Sequence, residues 1–439
     1  MTSTASGEAT GIPPQTDVQR RVLAVLVASQ ILSGAGLAAG VTVGALLAED
    51  MLGSTDLAGL PSALFTAGSA LAAVAVGRIS QSRGRRPGLA AGYVAGAIGS
   101  AGVIVAAAVH NPVLLFVSLF VYGAGVATNL QARYAGADLA SPAHRARAVS
   151  SVLVATTLGG VVGPNLAAPT GHLAESLQLP ALTGPFMLGG VAYALAALVL
   201  VVWLRPDPLL LARKLDLQER AAEATAVEAE QKAPDEAGTT QASASAGARA
   251  GAAASRRGSG LMLGSLTMIL TQLVMVSIMT MTPVHMHDHG HGTAAAGLVI
   301  AVHVGSMYLP SPLTGWLVDR FGRIAVAGAS GVTLLVAGLV AAVAPGDSVV
   351  LLALALGLLG LGWNFGLVSG TAMITDAVPL ATRAKTQGTV DVAIAIAGAT
   401  GGLASGLVVS AASYPVLALT GGVLSLAILP AIAASARAR

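Results

Sequence analysis

Seven of the eleven methionines fall between Met262 and Met307, and five of the eight histidines fall between His285 and His303. Met268, Gln272, Met275 and Met279 stand at i, i+4, i+7 and i+11, so a helix puts them on one face. His303 and Met307, four apart, share a face of the next apolar stretch. If the two stretches turn near residue 289, Met275 and His303 come to the same depth of an antiparallel hairpin. Met279 then lies a turn outward and Met307 a turn inward. Thioether sulfur and imidazole nitrogen suit a soft ion such as Cu(I) and do not suit Mg or Ca. Met275, Met279, His303 and Met307 are therefore candidate substrate or metal ligands. Two other readings stay open: a pocket or proton relay for an organic solute, and plain packing, which methionine does well. The connecting stretch reads His285-Met-His-Asp-His-Gly-His291. His285, His287, His289 and His291 can collect a metal ion at the outer surface, form a solvated loop, or respond to pH.

Asp391 sits inside an apolar run over 388–410, roughly one turn from its inner end. A carboxylate in such surroundings is a functional candidate, here for proton coupling. The alternative is an acid held by the positive end of a helix. Gln30, Asn129, Gln131, Gln272, Trp363 and Asn364 are the remaining polar or aromatic cavity candidates. Trp363 can stack a flat organic ligand or fill space among glycines.

The elements that position these residues follow from composition. Of 439 residues, 54% are hydrophobic and 10% charged, too apolar for a water-soluble core. With no cysteine, disulfides and thiolate metal sites are excluded. Fifty-four glycines suit close helix contacts in lipid. A spanning helix takes about 20 residues, and twelve stretches qualify: 22–47, 57–78, 88–109, 112–134, 148–171, 182–204, 260–283, 294–317, 324–344, 349–374, 388–410 and 413–434. The fold class is thus an all-α integral membrane protein with two six-helix bundles. The expected divisions are a disordered tail over 1–19, a first bundle over 20–204, a solvated linker over 205–258 that is partly helical near 209–230, and a second bundle over 259–439. The first apolar run is too long for a cleaved signal and reads as a retained span.

Charge orients the chain. With the N-terminus placed inside, all 23 Lys and Arg fall on the inner side, and the outer loops hold only acids such as Glu49, Asp50, Asp56, Glu175, Asp288 and Asp347. The net charge of +3 is therefore a matter of topology, and no nucleic-acid partner is expected. A repeat supports the count. Gly315-Trp-Leu-Val-Asp-Arg-Phe-Gly-Arg323 lies 238 positions after Gly77-Arg-Ile-Ser-Gln-Ser-Arg-Gly-Arg85. At the same offset Asp138 maps to Asp376, Arg145 to Arg383, Arg147 to Lys385, Gly160 to Gly398 and Gly163 to Gly401. Parallel halves of six spans each are the plan of many secondary transporters.

At these residues the chain resembles the major facilitator superfamily, over nearly its whole length. Gly315, Asp319, Arg320, Gly322 and Arg323 fit the family's loop pattern. In the first copy Gly77 and Gly84 fit, but Gln81 stands where the family usually has Asp, and Ser82 where it often has Arg. The resemblance implies that these loops latch the cytoplasmic side closed. Asp319 is expected to face the start of the fifth helix near His144, with the Gln81 latch the weaker. The first, fourth, seventh and tenth helices line the central path in that family. Gly159-Gly160-Val-Val-Gly163-Pro164 is similar, incompletely, to the glycine–proline motif of proton-driven drug exporters, and equally reads as packing. The Met275, Met279, His303 and Met307 pattern resembles the CcoA-like copper importers, a branch with relatives that carry riboflavin.

No His-Glu-x-x-His motif, Gly-x-Ser-x-Gly elbow or P-loop is present, so neither an enzyme nor a self-contained ATP-driven pump is expected. The reading is a secondary active transporter of the inner plasma membrane, both termini cytoplasmic, monomeric, with no cofactor. Its partners are the lipid bilayer and a small-molecule or metal-ion substrate, with copper or riboflavin-like uptake the specific expectation. A proton-coupled exporter and a non-transporting sensor or scaffold are the alternatives.

Overall fold

Helices occupy the described residues of each of the twelve apolar segments. The computed structural model describes residues 15–52, 60–231 and 239–437. Most of the expected N-terminal tail, Asp56, and part of the linker lie outside the described residues. So do the side chains of Glu49, Gly160, Gly163 and Pro164. In the first half run α1 (Gln15–Leu52), α2 (Leu60–Arg83), α3 (Arg85–Ala108), α4 (Pro112–Ala137), α5 (Arg145–Asn165), α6 (Ala167–Ser176) and α7 (Gly184–Trp203). The connecting helix α8 (Pro208–Gln231) follows. The second half holds α9 (Thr239–Asp288), α10 (Thr293–Tyr308), α11 (Ser311–Phe321), α12 (Arg323–Val343), α13 (Val349–Ala377), α14 (Arg383–Ala411), α15 (Tyr414–Ser425) and α16 (Ile428–Arg437). Ten stretches of described residues are long and apolar enough to cross a bilayer, and α1 and α5 occupy the other two segments.

Local chemistry sets the boundaries. Asn111 caps α4 by accepting from Leu114 N at 3.0 Å, with Pro112 at the first helical position. Ser348 and Ser413 cap α13 and α15 in the same way. Three spans come in two pieces: α5 with α6, α10 with α11, and α15 with α16. The second break falls at Leu309–Pro310, where proline cannot donate to the preceding turn. The expected outer loop over His285–His291 is shorter than its sequence suggests. His285, Met286, His287 and Asp288 form the last turn of α9, which continues past Pro283 and ends before Gly290, whose φ is 81°.

Each half has its own apolar core. Leu26, Tyr93, Leu119, Tyr122 and Phe186 centre the first, and Met268, Ile278, Leu334, Leu356 and Val368 the second. The lipid-facing surface is equally apolar: Leu403 is 78% exposed and Val113 71%, an arrangement that only hydrocarbon can solvate.

Two seams join the halves, α2 against α14 and α5 against α11. Both lie toward the end of the molecule that holds the basic loops. At the first seam a Cβ on Gly388 would sit 2.6 Å from Ala73 O, and one on Gly77 would sit 2.9 Å from Ala384 O. At the second, a Cβ on Gly315 would sit 2.6 Å from Ser150 Oγ. The backbones touch there, as small residues allow in membrane bundles.

Two details correct the sequence reading. Asp391 lies in the third turn of α14, further in than one turn, because that helix begins at Arg383. Arg85 and Arg133, counted above as inner-side loop charges, are fully buried within the protein. Each has found a carboxylate partner, Asp138 for Arg85 and Asp391 for Arg133.

Candidate functional site

The groups that join the halves are polar, and they run from exposed at the rim, as Arg147 and Asp376 are, to fully buried, as Arg85 and Arg133 are. Asp319, near the end of α11, accepts from Ala146 N and Arg147 N at the start of α5, both at 3.1 Å. The Arg147 guanidinium stands 3.8 Å from the same carboxylate. A carboxylate on two free N–H groups at a helix start is favourable on hydrogen-bonding and dipole grounds alike. Gln81 does the same for the opposite pair. Its Oε1 accepts from Ala384 N at 2.8 Å and Lys385 N at 3.3 Å at the start of α14, and its Nε2 donates to Ala381 O. The pseudo-symmetric helix start is met, but without a charge.

The remaining loop residues divide by cause. Gly77 and Gly315 stand where the other half's backbone passes. Gly84 and Gly322 have φ of 99° and 93°, left-handed values that turn the chain into the next helix. Arg320 is exposed. Arg323 pairs with Asp376 and donates to Pro142 O of the other half at 2.8 Å.

The repeat produces two matching triads. Asp376, at the end of α13, holds Arg323 of its own half and Arg145 of the other. Asp138, following α4, holds Arg85 at 2.8 Å and lies 3.9 Å from Arg383 of the other half. Arg85 also donates to Gln387 on α14.

A further pair, like Arg147–Asp319, has no copy in the repeat. Asp391 on α14 accepts from Arg133 Nη2 on α4 at 2.7 Å and from the Tyr134 hydroxyl at 3.1 Å. Arg133 Nε donates to Thr371 Oγ1 on α13 at 3.1 Å. The Arg133 Cζ lies 4.2 Å from the Tyr134 ring centroid, a cation–π contact. All four side chains are buried, and Asp391 Oδ2 has no hydrogen-bond partner among the described residues. Sequence reasoning found Asp391 and missed Arg133, Tyr134 and the Asp138 triad.

The methionine and histidine candidates are arranged differently from a hairpin. α13 packs against both α9 and α10, which touch each other little. Its glycines make the fit: Gly366 and Gly370 face Thr271 and Met268 of α9, and Gly360 faces the His303 carbonyl of α10. Met275 and Met307 lie in the apolar core, with Met279 packed beside it. His303 is fully buried, and its Nδ1 is 2.8 Å from Leu356 O on α13. That contact makes Nδ1 the protonated nitrogen, which leaves the Nε2 lone pair unpartnered among the described residues. Among the outer histidines, His285 stacks on Tyr414 with centroids 4.3 Å apart. His289 Nδ1 meets His285 O and His291 Nε2 meets Gly346 O, each at 2.8 Å, while His287 is exposed. Among the described residues no three His, Asp or Glu side chains come together as a metal site.

The cavity candidates form two kinds of group. In the first half Gln30 donates to Asn129 O and Thr156 Oγ1, each at 3.0 Å, and accepts from Tyr93 OH at 2.6 Å. Asn129 Nδ2 donates to Ser33 at 2.8 Å. Gln131 Nε2 donates to Ala73 O at 2.8 Å, across to α2. In the second half Asn364 donates to Met307 O and Ser311 Oγ, each at 2.7 Å, and accepts from Thr314. These are satisfied internal networks. Gln272 and Trp363 differ: Trp363 Nε1 donates to Gln272 Oε1 at 2.8 Å, and Tyr308 meets the Trp363 ring edge-on at 5.7 Å. Gln272 and Tyr308 are half-buried, and Tyr308 lies within electrostatic reach of Arg133 of the other half.

Two pseudo-symmetric helical bundles, joined by polar contacts gathered at one end, define a multi-pass membrane transporter. The chain belongs to the Major Facilitator Superfamily, which it matches over residues 26–308 and again over 261–438. It is 54% identical to the uncharacterized MFS-type transporter YdeG of Bacillus subtilis (strain 168), over 95% of this chain and 92% of that protein. It is 28% identical to the riboflavin transporter RfnT of Brucella anthropi, over 85% of each chain. Among solved structures it is similar in fold to the human organic anion transporter MFSD10 (TETRAN), with a TM-score of 0.70 at 17% identity, covering 96% of this chain and 100% of that one.

Proposed function

We propose that this chain is a secondary active transporter that takes up a flat, polar heteroaromatic solute of the riboflavin type across the plasma membrane, with its basic end in the cytoplasm. The observation that carries the substrate class is the meeting of Trp363, Gln272 and Tyr308 from three different spans. A tryptophan and a tyrosine offer ring faces and edges, and the half-buried Gln272 amide offers a hydrogen bond to the edge of a heterocycle. The similarity to a riboflavin transporter supports the same class. The positive-inside distribution supports the orientation. Asp391, buried and paired across the halves, is the candidate through which an ion gradient acts. Cu(I) uptake is the second reading, and its one favouring observation is the unpartnered lone pair of His303 Nε2.

Thermal shift of the purified protein separates them, because a ligand that binds the folded state raises its melting temperature with occupancy. Riboflavin is expected to raise it, and Trp363→Phe, which keeps a ring at this buried position but loses the donor to Gln272, to reduce the rise while the unliganded melting temperature stays close to wild type. A rise with Cu(I) that His303→Leu removes, with none for riboflavin, would reverse the assignment.

A further inference from the structure

The two latches differ by a charge, and a residue outside both bundles stands at the weaker one. Arg213 of α8 donates through Nε to Leu380 O at 3.2 Å and through Nη2 to the Gln81 backbone O at 2.9 Å. One guanidinium therefore holds the end of α2 in the first half and the turn between α13 and α14 in the second. Hydrogen bonds from a charged donor are about twice as strong as neutral ones.

α8 itself is rooted in the first half. Asp207 Oδ1 caps it by accepting from Leu209 N at 3.1 Å and Leu210 N at 3.2 Å. Asp207 Oδ2 accepts from Arg86 N at 2.7 Å, at the start of α3. Leu209 is fully buried, and Leu211 and Leu215 pack against the first-half core, where Leu380 of the second half packs too. Asp138 and Asp207 lie within reach of the guanidinium and offset the nearby Arg85. If the halves part at this end, α8 stays with the first half and the Arg213–Leu380 contact is the one that breaks. The Asp319 latch needs no such help, since its carboxylate and Arg147 both belong to the bundles.

We propose that Arg213 is a positioning residue of the transport cycle: from the connecting helix it supplies the charged contact that position 81 lacks. The connecting segment then helps to set how firmly the basic end closes. This rests on the reading that the two halves alternate between closed and open at that end.

The test uses the full chain, which has no native cysteine, so introduced ones are unique labels. Arg83→Cys and Thr389→Cys place spin labels at exposed positions of α2 and α14. Pulsed electron-spin distance measurements in lipid nanodiscs then read the closed and open populations without any substrate. Arg213→Ala is expected to raise the long-distance population about tenfold, the effect of losing hydrogen bonds from a charged group. Arg213→Lys is expected to recover much of the closed population, which a loss of packing alone would not allow. Arg220→Ala, on the same helix but paired with Asp216, is expected to leave it unchanged. Should Arg213→Ala fail to insert, Arg213→Gln keeps a long polar side chain and removes the charge. If the Arg213 variants match the wild-type distribution while Asp319→Ala opens the seam, the assignment of Arg213 is overturned. If Asp319→Ala changes nothing either, the alternating reading falls and takes the proposal with it.

Discussion

Arg133 and Asp391 form an ion pair between the halves that the repeat does not duplicate, and unlike Arg147–Asp319 both of its members are buried. At the offset of 238, Arg133 faces Thr371 and Asp391 faces Leu153, so each residue breaks the symmetry of its own position. The structure shows that the two breaks are partners, and that Arg133 also donates to Thr371, its own pseudo-symmetric mate. Asp391 was legible because a carboxylate inside an apolar run stands out. Arg133 was not, since an arginine at the inner end of a span is absorbed by any tally of inner charges. The missing signal was the mismatch with Thr371. Removing one member leaves the other charge buried without a counter-ion, which costs about 3–5 kcal/mol, whereas removing both leaves neither. Asp391→Ala is thus expected to lower the melting temperature sharply and Arg133→Ala to do the same, with the double variant recovering much of the loss. A double-mutant cycle on the purified protein measures the coupling, and additive losses would show that the pair does not act as a unit.

At the scale of helices, the seams explain why the same residue type recurs for different reasons. The loop pattern shows four glycines alike, yet Gly77 and Gly315 are there for close approach and Gly84 and Gly322 for backbone conformation. The sequence could show that the spacing is fixed; only the placement of α14 beside α2 and of α5 beside α11 separates the causes. The Asp319 contact was legible almost to the residue, because an acid at that place in the loop needs a helix start to face. The partner of α10 was not. Chain order suggests that α9 and α10 pair as a hairpin, but bundles in lipid pack where small residues let backbones approach, and α13 carries those glycines. The same logic makes a prediction about the α2–α14 seam. A valine at position 388 places carbon 2.6 Å from Ala73 O, well inside contact distance. Gly388→Val is therefore expected to leave the protein inserted but unable to close at the basic end, with solute uptake lost. Normal uptake at normal membrane abundance would mean that this seam need not close during transport.

For the molecule as a whole, the polar contacts between the halves are gathered toward one end, and that end is the one with the basic loops. Twelve spans in two halves were legible from apolar length and the repeat, and the proposed orientation rests on one-sided charge, since lipid acts on the chain before any packing detail does. Which end is closed is a different matter, because it depends on contacts between residues as distant as Gln81 and Ala384. With the basic end held by Asp319, Gln81 and the Arg133–Asp391 pair, the proposed transport cycle predicts a solute path open toward the opposite face, from which Trp363, Gln272 and Tyr308 are approached. The absence of native cysteine makes this directly measurable. A single cysteine at Gln272, which is half-buried beside Trp363, is expected to react with a membrane-impermeant thiol reagent added to the outside of intact cells. A cysteine at Ser150, buried in the α5–α11 seam beside Gly315, is expected to resist the same reagent. Asp319→Ala, by freeing the start of α5, is then expected to slow labelling at position 272 from outside and to speed labelling at position 150 in inside-out vesicles. Rates that move independently at the two positions would show that the halves do not turn as rigid bodies about one site.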